Sequence, residues 1–317
     1  MILVTGATGF IGRALVTRLI AEGKTVRVLL PEVYQRRLPW AEDAMPEIIT
    51  GNQMDDEALF RAVTGVHTIM HLENALWWGR LRDLERVELV GTRNLVTAAR
   101  SARVGRIIAL SQLGASPSSA FNLLRTKGEQ EVILRDSGLA YTIIRSGLVF
   151  GPGDAFVNHV AMMLAASPGL FLMPGQGEVI LHPIYIDDVI EAMVRSLELI
   201  NVVDETVEIG GPEYITFAEL VTTVMRLTRA YRFVFNVPPY AMRWFNNLLG
   251  VFLRRTLMTS QWLDVLAASR TARLGNTYNV FGLHPRRFED ALLTYMPKRR
   301  YFFSALRYTV RRRPRES

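Results

Sequence analysis

The sequence predicts an α/β protein built on a doubly wound parallel sheet, with a smaller, mostly helical lobe toward the C-terminus. In the first half of the chain, short apolar runs of strand length alternate with longer segments whose apolar residues recur at helical spacing. Strands separated by helices of this length are typical of parallel, doubly wound sheets. A glycine-rich turn between the first strand and the first helix agrees with this fold class.

The elements of the sheet domain are predicted in order along the chain. Strands are expected at short apolar runs, namely residues 2–5, 25–30, 47–50, 68–72, 106–111 and 141–145. Helices are expected between them, at residues 11–22, 84–102 and 123–137 and from Asp55 or Asp56 onward. The first helix places Ile11, Leu15 and Leu19 on one face, and the helix at Asp55 or Asp56 opens on a residue suited to the N-cap.

The second half of the chain is less regular. After Gly151-Pro152-Gly153 the pattern is interrupted by further prolines and glycines. A strand at 184–186, a helix from Asp187 or Asp188 and a helix at 217–228 are still predicted. We therefore expect a core at 1–150, a small substrate or partner lobe at 151–235 interleaved with that core, and a basic amphipathic extension at 236–317.

Composition and charge narrow the classes of function. The 317 residues are 49% hydrophobic and 21% charged, as in ordinary globular proteins, and the absence of cysteine excludes disulfides and thiolate metal sites. No metal site is expected from the five histidines. Residues 226–317 hold 18 Lys and Arg against 4 Asp and Glu, whereas residues 1–225 hold 19 against 26. The strongly basic C-terminal part therefore calls for a partner that explains it.

The strongest local signal is TGATGFIG at residues 5–12, between the first strand and the first helix. Glycines let the backbone turn tightly and approach a pyrophosphate, while the helix N-terminus offers free N–H groups and a partial positive charge. The segment therefore predicts a dinucleotide site. The residues expected to contact the dinucleotide are Gly6, Thr8, Gly9, Phe10, Ile11 and Gly12.

This glycine spacing, G-x-x-G-x-x-G, resembles that of atypical and extended short-chain dehydrogenases/reductases, the NAD-dependent epimerase/dehydratase group. Other stretches resemble the same family, among them Gly51-Asn52, Val87-Glu88, Gly91-Thr92-Arg93-Asn94-Leu95, Lys127 with Glu131, and Gly151-Pro152-Gly153. The resemblance covers residues 1–225 well. The fainter remainder is similar to the branch that contains the 39-kDa NAD(P)H-binding subunit of respiratory complex I. The resemblance implies a Rossmann fold that binds NADP or NAD.

The resemblance also implies where active members carry out their chemistry. In those members a tyrosine four residues before a lysine exchanges the proton, the lysine lowers the pKa of that tyrosine, and a serine orients the substrate oxygen. Ser111 and Lys127 stand in the serine and lysine positions, but Leu123 stands in the tyrosine position. No tyrosine lies between Tyr34 and Tyr141 to replace it. We interpret Ser111 and Lys127 as remnants of a catalytic site.

Further cofactor contacts are predicted near strand ends. After the second strand an acidic residue favours NAD and an arginine favours NADP. Glu32 and Arg36 are both candidates, or both belong to a solvated loop, so the choice stays open. Glu73, after the fourth strand, either narrows the cofactor cleft or points to water. The other predicted contacts are Asn52, Leu72, Ser111, Lys127, Ser146 and Val149.

The basic C-terminal region suggests a surface role. Residues 240–257 predict an amphipathic helix with one narrow polar stripe, consisting of Arg243, Asn246, Asn247, Gly250 and Arg254. With the basic clusters at 298–300 and 311–315, it predicts contact with anionic lipid headgroups or a membrane protein. A buried helix with a solvated tail is the alternative, and nucleic acid is not expected without a recognition signature. We expect a cytoplasmic protein, because neither a secretory signal nor a spanning segment is present. The basic and amphipathic segments predict a peripheral position on the cytoplasmic face of the membrane.

Two functions follow from these features. The first is a structural, assembly or redox-sensing protein that holds a dinucleotide without turnover, which Leu123 and the basic C-terminal region favour. The second is an active NAD(P)H-dependent oxidoreductase or sugar-nucleotide epimerase/dehydratase that relays the proton through another group or water. The retention of Ser111 and Lys127 favours the second function.

Overall fold

The computed structural model describes residues 1–41, 44–73, 81–252 and 256–310. The chain forms two compact units, each assembled from separate stretches of sequence. The core unit comprises Met1–Ser146, Ile186–Ile209 and Asn276–Leu283, and the second unit comprises Gly147–Tyr185, Gly210–Gly275 and the chain from His284 onward. Within these described residues, no helix is both long enough and apolar enough to cross a bilayer.

A parallel sheet of seven strands forms the centre of the core unit. Its strands, numbered along the whole chain, are β1 (Ile2–Thr5), β2 (Val26–Leu30), β3 (Glu47–Thr50), β4 (Thr68–His71), β5 (Arg106–Gln112), β6 (Ala140–Ser146) and β11 (Glu205–Ile209). They lie in the order β11-β6-β5-β4-β1-β2-β3, and all neighbours are parallel. The order reverses between β1 and β4, so the carboxyl ends of these two strands form the switch point where doubly wound sheets bind ligands.

Helices flank the sheet of the core unit. They are α1 (Phe10–Ala21), α2 (Asp56–Val63), α3 (Leu81–Glu85), α4 (Gly91–Ser101), α5 (Asn122–Arg135), α7 (Ile186–Arg195) and α11 (Asn276–Phe281). These helices form two groups: α1 and α11 contact α7, whereas α2 and α5 contact α4. Every residue of β1 and β4 is buried, as expected for central strands covered on both faces.

The second unit consists of short strand pairs and helices. Its strands pair two by two: β7 (Leu148–Phe150) with β10 (Pro183–Tyr185), β8 (Leu170–Pro174) with β13 (Phe233–Val237), and β9 (Ile180–Leu181) with β12 (Ile215–Thr216). Its helices are α6 (Val157–Ala166), α8 (Phe217–Thr228), α9 (Pro239–Phe252), α10 (Ser260–Val265), α12 (Phe288–Tyr295) and α13 (Tyr301–Val310). The rings of Phe156 and Trp262 stack at 4.5 Å between centroids, and Phe217 packs edge-on against both. These aromatic rings form part of the apolar core of the unit.

The predicted fold class and the order of elements through residue 146 are confirmed. The helix predicted at 84–102 consists of α3, a π-helical turn at Arg86–Val90 and α4. Strand β11 is absent from the prediction, although its alternating sequence Glu-Thr-Val-Glu-Ile carries a strand signal.

Both units are discontinuous in sequence, because residues 186–209 and 276–283 belong to the core unit. The predicted division into 1–150, an interleaved lobe at 151–235 and an extension at 236–317 stays a prediction. The helix predicted at 240–257 is observed over Pro239–Phe252, and residues 256–257 are not helical. The predicted stripe residue Arg254 and the basic cluster at 311–315 lie outside the described residues.

Candidate functional site

The glycine-rich turn lies at the carboxyl end of β1 and leads into α1. Gly6 has a φ of +67°, a left-handed conformation that favours glycine, and a Cβ there would lie 2.6 Å from the backbone carbonyl of Leu72. At Gly12, a Cβ would lie 2.2 Å from the carbonyl oxygen of Gly6. Both positions therefore require glycine for the fold itself, because the turn, α1 and the end of β4 approach one another closely.

Gly9 has a different role in the same turn. Among the described residues, a Cβ at Gly9 would have only the Gly6 oxygen close to it, at 3.1 Å, so the described part of the chain leaves the space on its other side open. Gly9 is the N-cap of α1; within the same part of the chain no side chain caps this helix, and its first turn has no acidic residue. The N–H groups at the start of α1 therefore form a cradle for a phosphate. A dinucleotide pyrophosphate fits this cradle, which the predicted contact residues Gly6, Thr8, Gly9, Phe10, Ile11 and Gly12 would form.

The three predicted catalytic positions all lie in the core unit. Leu123 and Lys127 are one turn apart on α5, and Ser111 is on β5. Leu123 is half-buried, whereas Ser111 and Lys127 are buried. The aliphatic Leu123 side chain has no proton to exchange, so any chemistry here depends on the surroundings of the other two residues.

Lys127 forms a buried ion pair. Its Nζ donates to Glu88 Oε2 at 2.7 Å and to Gln130 Oε1 at 3.1 Å. The Glu88 side chain is fully buried and that of Lys127 is 8% exposed. Buried charges persist in proteins as pairs, since an isolated one has a large desolvation cost. The ammonium group of Lys127 is therefore balanced within the protein, and two of its three N–H donors are occupied.

The network continues from Gln130 to His71 on β4. Gln130 Oε1 accepts from Lys127, and Gln130 Nε2 donates to Thr92 Oγ1 at 3.0 Å and lies 3.1 Å from His71 Nε2. His71 Nδ1 lies 2.8 Å from Thr5 Oγ1, so both ring nitrogens of His71 have hydrogen-bonding partners. Burial, with the positive charge of Lys127 nearby, lowers the pKa of His71 to about 3. His71 is therefore neutral near pH 7 and does not replace the missing tyrosine as a proton donor.

Ser111 is held by a second carboxylate. Its hydroxyl donates to Glu131 Oε1 at 2.6 Å. Glu131 is 1% exposed and also accepts from Arg135 at 2.6 Å and from Arg145 at 2.7 Å. A carboxylate held between two guanidinium groups accepts hydrogen bonds and donates none. The Ser111 proton is therefore directed to Glu131.

Three other predicted cofactor contacts lie at or just beyond the carboxyl ends of sheet strands. Asn52 follows β3, and its Oδ1 accepts from the Met54 N–H at 2.7 Å. Leu72 follows β4, and its N–H donates to the Thr5 carbonyl at 3.3 Å, beside the glycine turn. Ser146 is the last residue of β6. The structure thus brings them to the edge of the sheet where doubly wound folds bind ligands.

The remaining predicted contacts are less well defined. Glu32 is exposed at the start of a 3-10 turn over Glu32–Arg37, and the side chain of Arg36 lies outside the described residues. Glu73 is half-buried beside the glycine turn. Val149 lies on β7 and belongs to the second unit.

Glu88 and Glu131 belong to stretches that resemble the family, but their pairing with Lys127 and Ser111 is not part of the sequence prediction. Glu131 carries a local signal, because it precedes Arg135 by four residues on α5 and such pairs meet on a helix surface. Glu88 carries none: it lies 39 residues before Lys127, and only the fold brings the two together. His71 and Gln130 likewise become neighbours only through the packing of α5 near β4.

We expect acid to destabilise the core unit through His71. Its pKa of about 3 in the folded protein is lowered from 6.5, so between these values the unfolded chain binds the additional proton. This contribution to stability is fully present above pH 6.5 and falls as the pH drops, by about 2 kcal/mol at pH 5. Denaturant unfolding at pH 7 and pH 5 measures it, and His71→Gln should lose less stability between the two pH values than wild type.

Comparing wild type with His71→Gln removes the contributions of other titrating groups from the measured pH dependence of stability. Asp154, in the second unit, also titrates in this range, because burial raises its pKa to about 6 despite backbone hydrogen bonds that oppose the shift. Protonation of Asp154 below pH 6 favours the folded protein, which is opposite to the effect of His71. It is common to wild type and His71→Gln, so it cancels in the difference. Equal losses in the two proteins would contradict the assignment to His71.

The fold and the site together define a class of protein. A doubly wound sheet, a glycine cradle at its switch point and Ser111 and Lys127 in their expected places are features of dinucleotide-binding proteins of the short-chain dehydrogenase/reductase type. Residues 2–210 match the NAD dependent epimerase/dehydratase family. The chain belongs to this family.

Three relatives show the range of proteins to which the chain is similar. It is 27% identical to the mouse mitochondrial NADH dehydrogenase [ubiquinone] 1 alpha subcomplex subunit 9, over 78% of this chain and 66% of that protein. It is 27% identical to the photosystem II assembly factor Ycf39 of Guillardia theta, over 96% and 95% of the two chains. It is 32% identical to a ceramide reductase of Caulobacter vibrioides, over 54% and 53%. The predicted similarity to the complex I branch is confirmed, although this chain spans less than two thirds of the mouse subunit and about half of the reductase.

Solved structures share the fold. The UDP-glucose 4-epimerase of Thermus thermophilus in complex with NAD superimposes with a TM-score of 0.67 at 21% identity, over 93% of this chain and 97% of that one. Family membership, together with the fold shared with an NAD-bound protein, supports binding of NAD(P) by this chain. The glycine cradle is consistent with the same cofactor.

Proposed function

We propose that this protein holds a nicotinamide dinucleotide in a degenerate catalytic site and acts as a structural, assembly or redox-sensing component at a membrane or a membrane-protein complex. One observation carries the proposal: the tyrosine position holds no acid, and the side chains at the other two catalytic positions are engaged with buried carboxylates. Leu123 is aliphatic, the Ser111 hydroxyl donates to Glu131, and Lys127 is paired with Glu88. A bound nicotinamide ring would supply hydride transfer, but the position that supplies the accompanying proton holds no acid.

The contacts also explain why Ser111 and Lys127 are present in a protein without turnover. Lys127 supplies the cation 2.7 Å from the buried Glu88 carboxylate, and loss of one partner of a buried ion pair costs several kcal/mol. Ser111 donates to the buried Glu131, whose charge is already balanced by Arg135 and Arg145. Their presence therefore does not require catalysis. A dinucleotide bound only to the folded state would add stability, about 2.7 kcal/mol at a hundred times its Kd. A change in the redox state or concentration of the dinucleotide would then change the stability of the protein.

The relatives and the charge support the membrane part of the proposal. One relative is named as a subunit of NADH dehydrogenase and another as a photosystem II assembly factor. The second unit of this chain holds 18 Lys and Arg against 8 Asp and Glu in the sequence. A surface with this excess of cations suits anionic headgroups or an acidic partner protein.

The proposal is tested by separating binding from turnover. We expect NADH or NADPH to raise the melting temperature of the purified protein. We also expect oxidation of either nucleotide to stay far below about one per second with carbonyl and sugar-nucleotide substrates, because Leu123 removes the proton relay. Thermal unfolding and the absorbance of the reduced nicotinamide ring measure the two effects. Turnover at about one per second or faster would contradict the proposal.

The second candidate is an active oxidoreductase or epimerase whose proton is relayed by water or another group. The placement of Ser111 and Lys127 in catalytic positions favours it, as does the ceramide reductase among the relatives. The two candidates differ in one variant. If turnover exists and Ser111→Ala abolishes it while nucleotide binding is unchanged, the second candidate is correct.

A further inference from the structure

Helix α13 has apolar residues on two sides, and only one of them is packed. Tyr301 and Ala305 are buried, and their side of the helix packs on α6. The residues on the other side have between 54% and 62% of their surface exposed; they are Phe302, Phe303, Leu306 and Val310. We call these four residues the outer face of α13. Exposed clusters of large apolar side chains are typical of interaction sites.

The outer face is a continuous stripe. At about 100° per residue, Phe302, Leu306, Val310 and Phe303 fall within an arc of about 100° around the helix axis. Arg307 is exposed at the border of this arc. None of the ten residues of α13 is acidic. The outer face therefore offers no acceptor charge to a basic partner and presents only apolar surface with a cation beside it.

Contacts with α6 set the rotation of α13. The hydroxyl of Tyr301 donates to Asn158 Oδ1 at 3.3 Å, and the ring of Tyr308 lies 4.6 Å from that of His159, edge to face. These contacts hold one side of α13 against the second unit. The exposure of the outer face is thus a consequence of the packing of the opposite side.

The charge around α13 is of one sign. Residues 298–315 hold eight Lys and Arg and no Asp or Glu. Three of these cations directly precede the helix, at 298–300, and four follow it, at 311–313 and 315. An apolar stripe flanked by cations complements an anionic bilayer, where acyl chains accept the stripe and phosphates accept the cations. Each well-placed cation contributes about 1 kcal/mol to such binding.

We propose that the outer face of α13 inserts into the headgroup region of an anionic lipid bilayer, with the exposed Arg300 and Arg307 near lipid phosphates. This inference rests on the proposed membrane role and assigns that role to one helix and to lipid. It narrows the sequence prediction, in which the contact is made by the whole region from about residue 240 onward.

Helix α9 is the competing element. Tyr240, Trp244 and Leu248 recur at helical spacing and are exposed, so α9 also presents an apolar stripe. Its described cation, however, is engaged: Arg243 Nη2 lies 2.6 Å from Asp264 Oδ1 on α10. In the sequence, residues 239–255 hold three arginines, one of which pairs with Asp264, whereas residues 298–315 hold eight Lys and Arg. The larger excess of positive charge therefore lies around α13.

Liposome flotation with the full-length protein tests the inference. The variants are Phe302→Gln with Leu306→Gln on α13, and Tyr240→Gln with Trp244→Gln on α9 as the matched control, because each pair removes two exposed apolar side chains one turn apart. Wild type should float with vesicles of phosphatidylcholine and phosphatidylserine at low salt, and not with phosphatidylcholine alone. The α13 variant should bind at least about tenfold more weakly, because two apolar anchors are lost, and the α9 variant should bind like wild type.

Additional measurements keep the result decisive. Melting temperatures show whether the variants are folded, and Arg307→Gln provides a milder change that should weaken vesicle binding in a salt-dependent way. Unchanged binding of the folded α13 variant, or a loss confined to the α9 variant, would overturn the inference. If the wild-type protein does not bind anionic vesicles but fractionates with membranes of its native cell, the inference fails and the proposed function stands. If it is absent from both, the membrane role fails as well.

Discussion

Replacing Lys127 with methionine should destabilise the core unit by about 3–5 kcal/mol, because the fully buried Glu88 carboxylate then loses the cation 2.7 Å away. Glu88→Gln should have a comparable effect for the opposite reason, since it leaves the Lys127 ammonium buried without its partner. The double variant Glu88→Gln with Lys127→Met removes both charges. It should recover much of the loss, so the two effects are not additive. Denaturant unfolding of the four proteins at pH 7 measures the coupling directly.

A surface pair in the same unit provides the matched control. Lys24 Nζ lies 3.5 Å from Glu198 Oε1, and the two side chains are 38% and 80% exposed, so Lys24→Met should change stability by less than about 1 kcal/mol. If Lys127→Met lowers the free energy of unfolding by no more than Lys24→Met, the ion pair with Glu88 does not explain why this protein has Lys127. In that case its presence would have to be explained by the cofactor or by catalysis, and the proposed function would lose its main support.

The second large effect concerns the glycine cradle. Gly9→Val should weaken binding of NADH and NADPH by about 100-fold or more, equivalent to about 3 kcal/mol, because the side chain occupies the open space where the pyrophosphate approaches. The fold should tolerate the change. Gly9 has φ −67° and ψ 174°, which valine adopts readily, and a Cβ there meets only the Gly6 oxygen at 3.1 Å. Titration calorimetry with each nucleotide measures the affinity.

Gly12→Ala is the contrasting variant in the same turn. Its Cβ would lie 2.2 Å from the Gly6 oxygen, far inside any real contact, so this variant should lose folding stability as well as binding. The pair of variants thus separates a cofactor contact from a packing requirement. Gly9→Val that binds nucleotide like wild type, or wild type that binds neither nucleotide at millimolar concentration, would refute the cradle.

Several features of the site were accessible from local sequence because their physical causes are local. The strands β1 and β4 are short apolar runs, and such runs are buried in a parallel sheet whatever their neighbours are. The turn at Gly6 requires a left-handed backbone, which glycine adopts at little cost, so its spacing is visible in sequence. The loss of the tyrosine at Leu123 is likewise a matter of one side chain.

Other features depend on contacts between distant segments. Strand β11 joins the sheet beside β6 only after the chain has passed through the second unit, and its short length gave a weak signal. The helix predicted at 240–257 has a narrow polar stripe, and its broad apolar surface was predicted to contact the membrane. In the structure, Arg243 on that stripe pairs with Asp264 on another helix. Periodicity identifies the faces of a helix but does not identify which face finds a partner.

The sequence by itself therefore determined the fold class, the glycine cradle, the family and the absence of a catalytic tyrosine, since each follows from backbone preferences, apolar periodicity or the chemistry of a single side chain. Only the tertiary structure decided what Ser111 and Lys127 do. Glu88 and Lys127 are 39 residues apart, and Ser111 and Glu131 are 20 apart, and nothing in their spacing requires them to meet. Burial brings these groups together because charges and hydroxyls removed from water need partners, and the identity of those partners is set by how α5 packs beside the sheet.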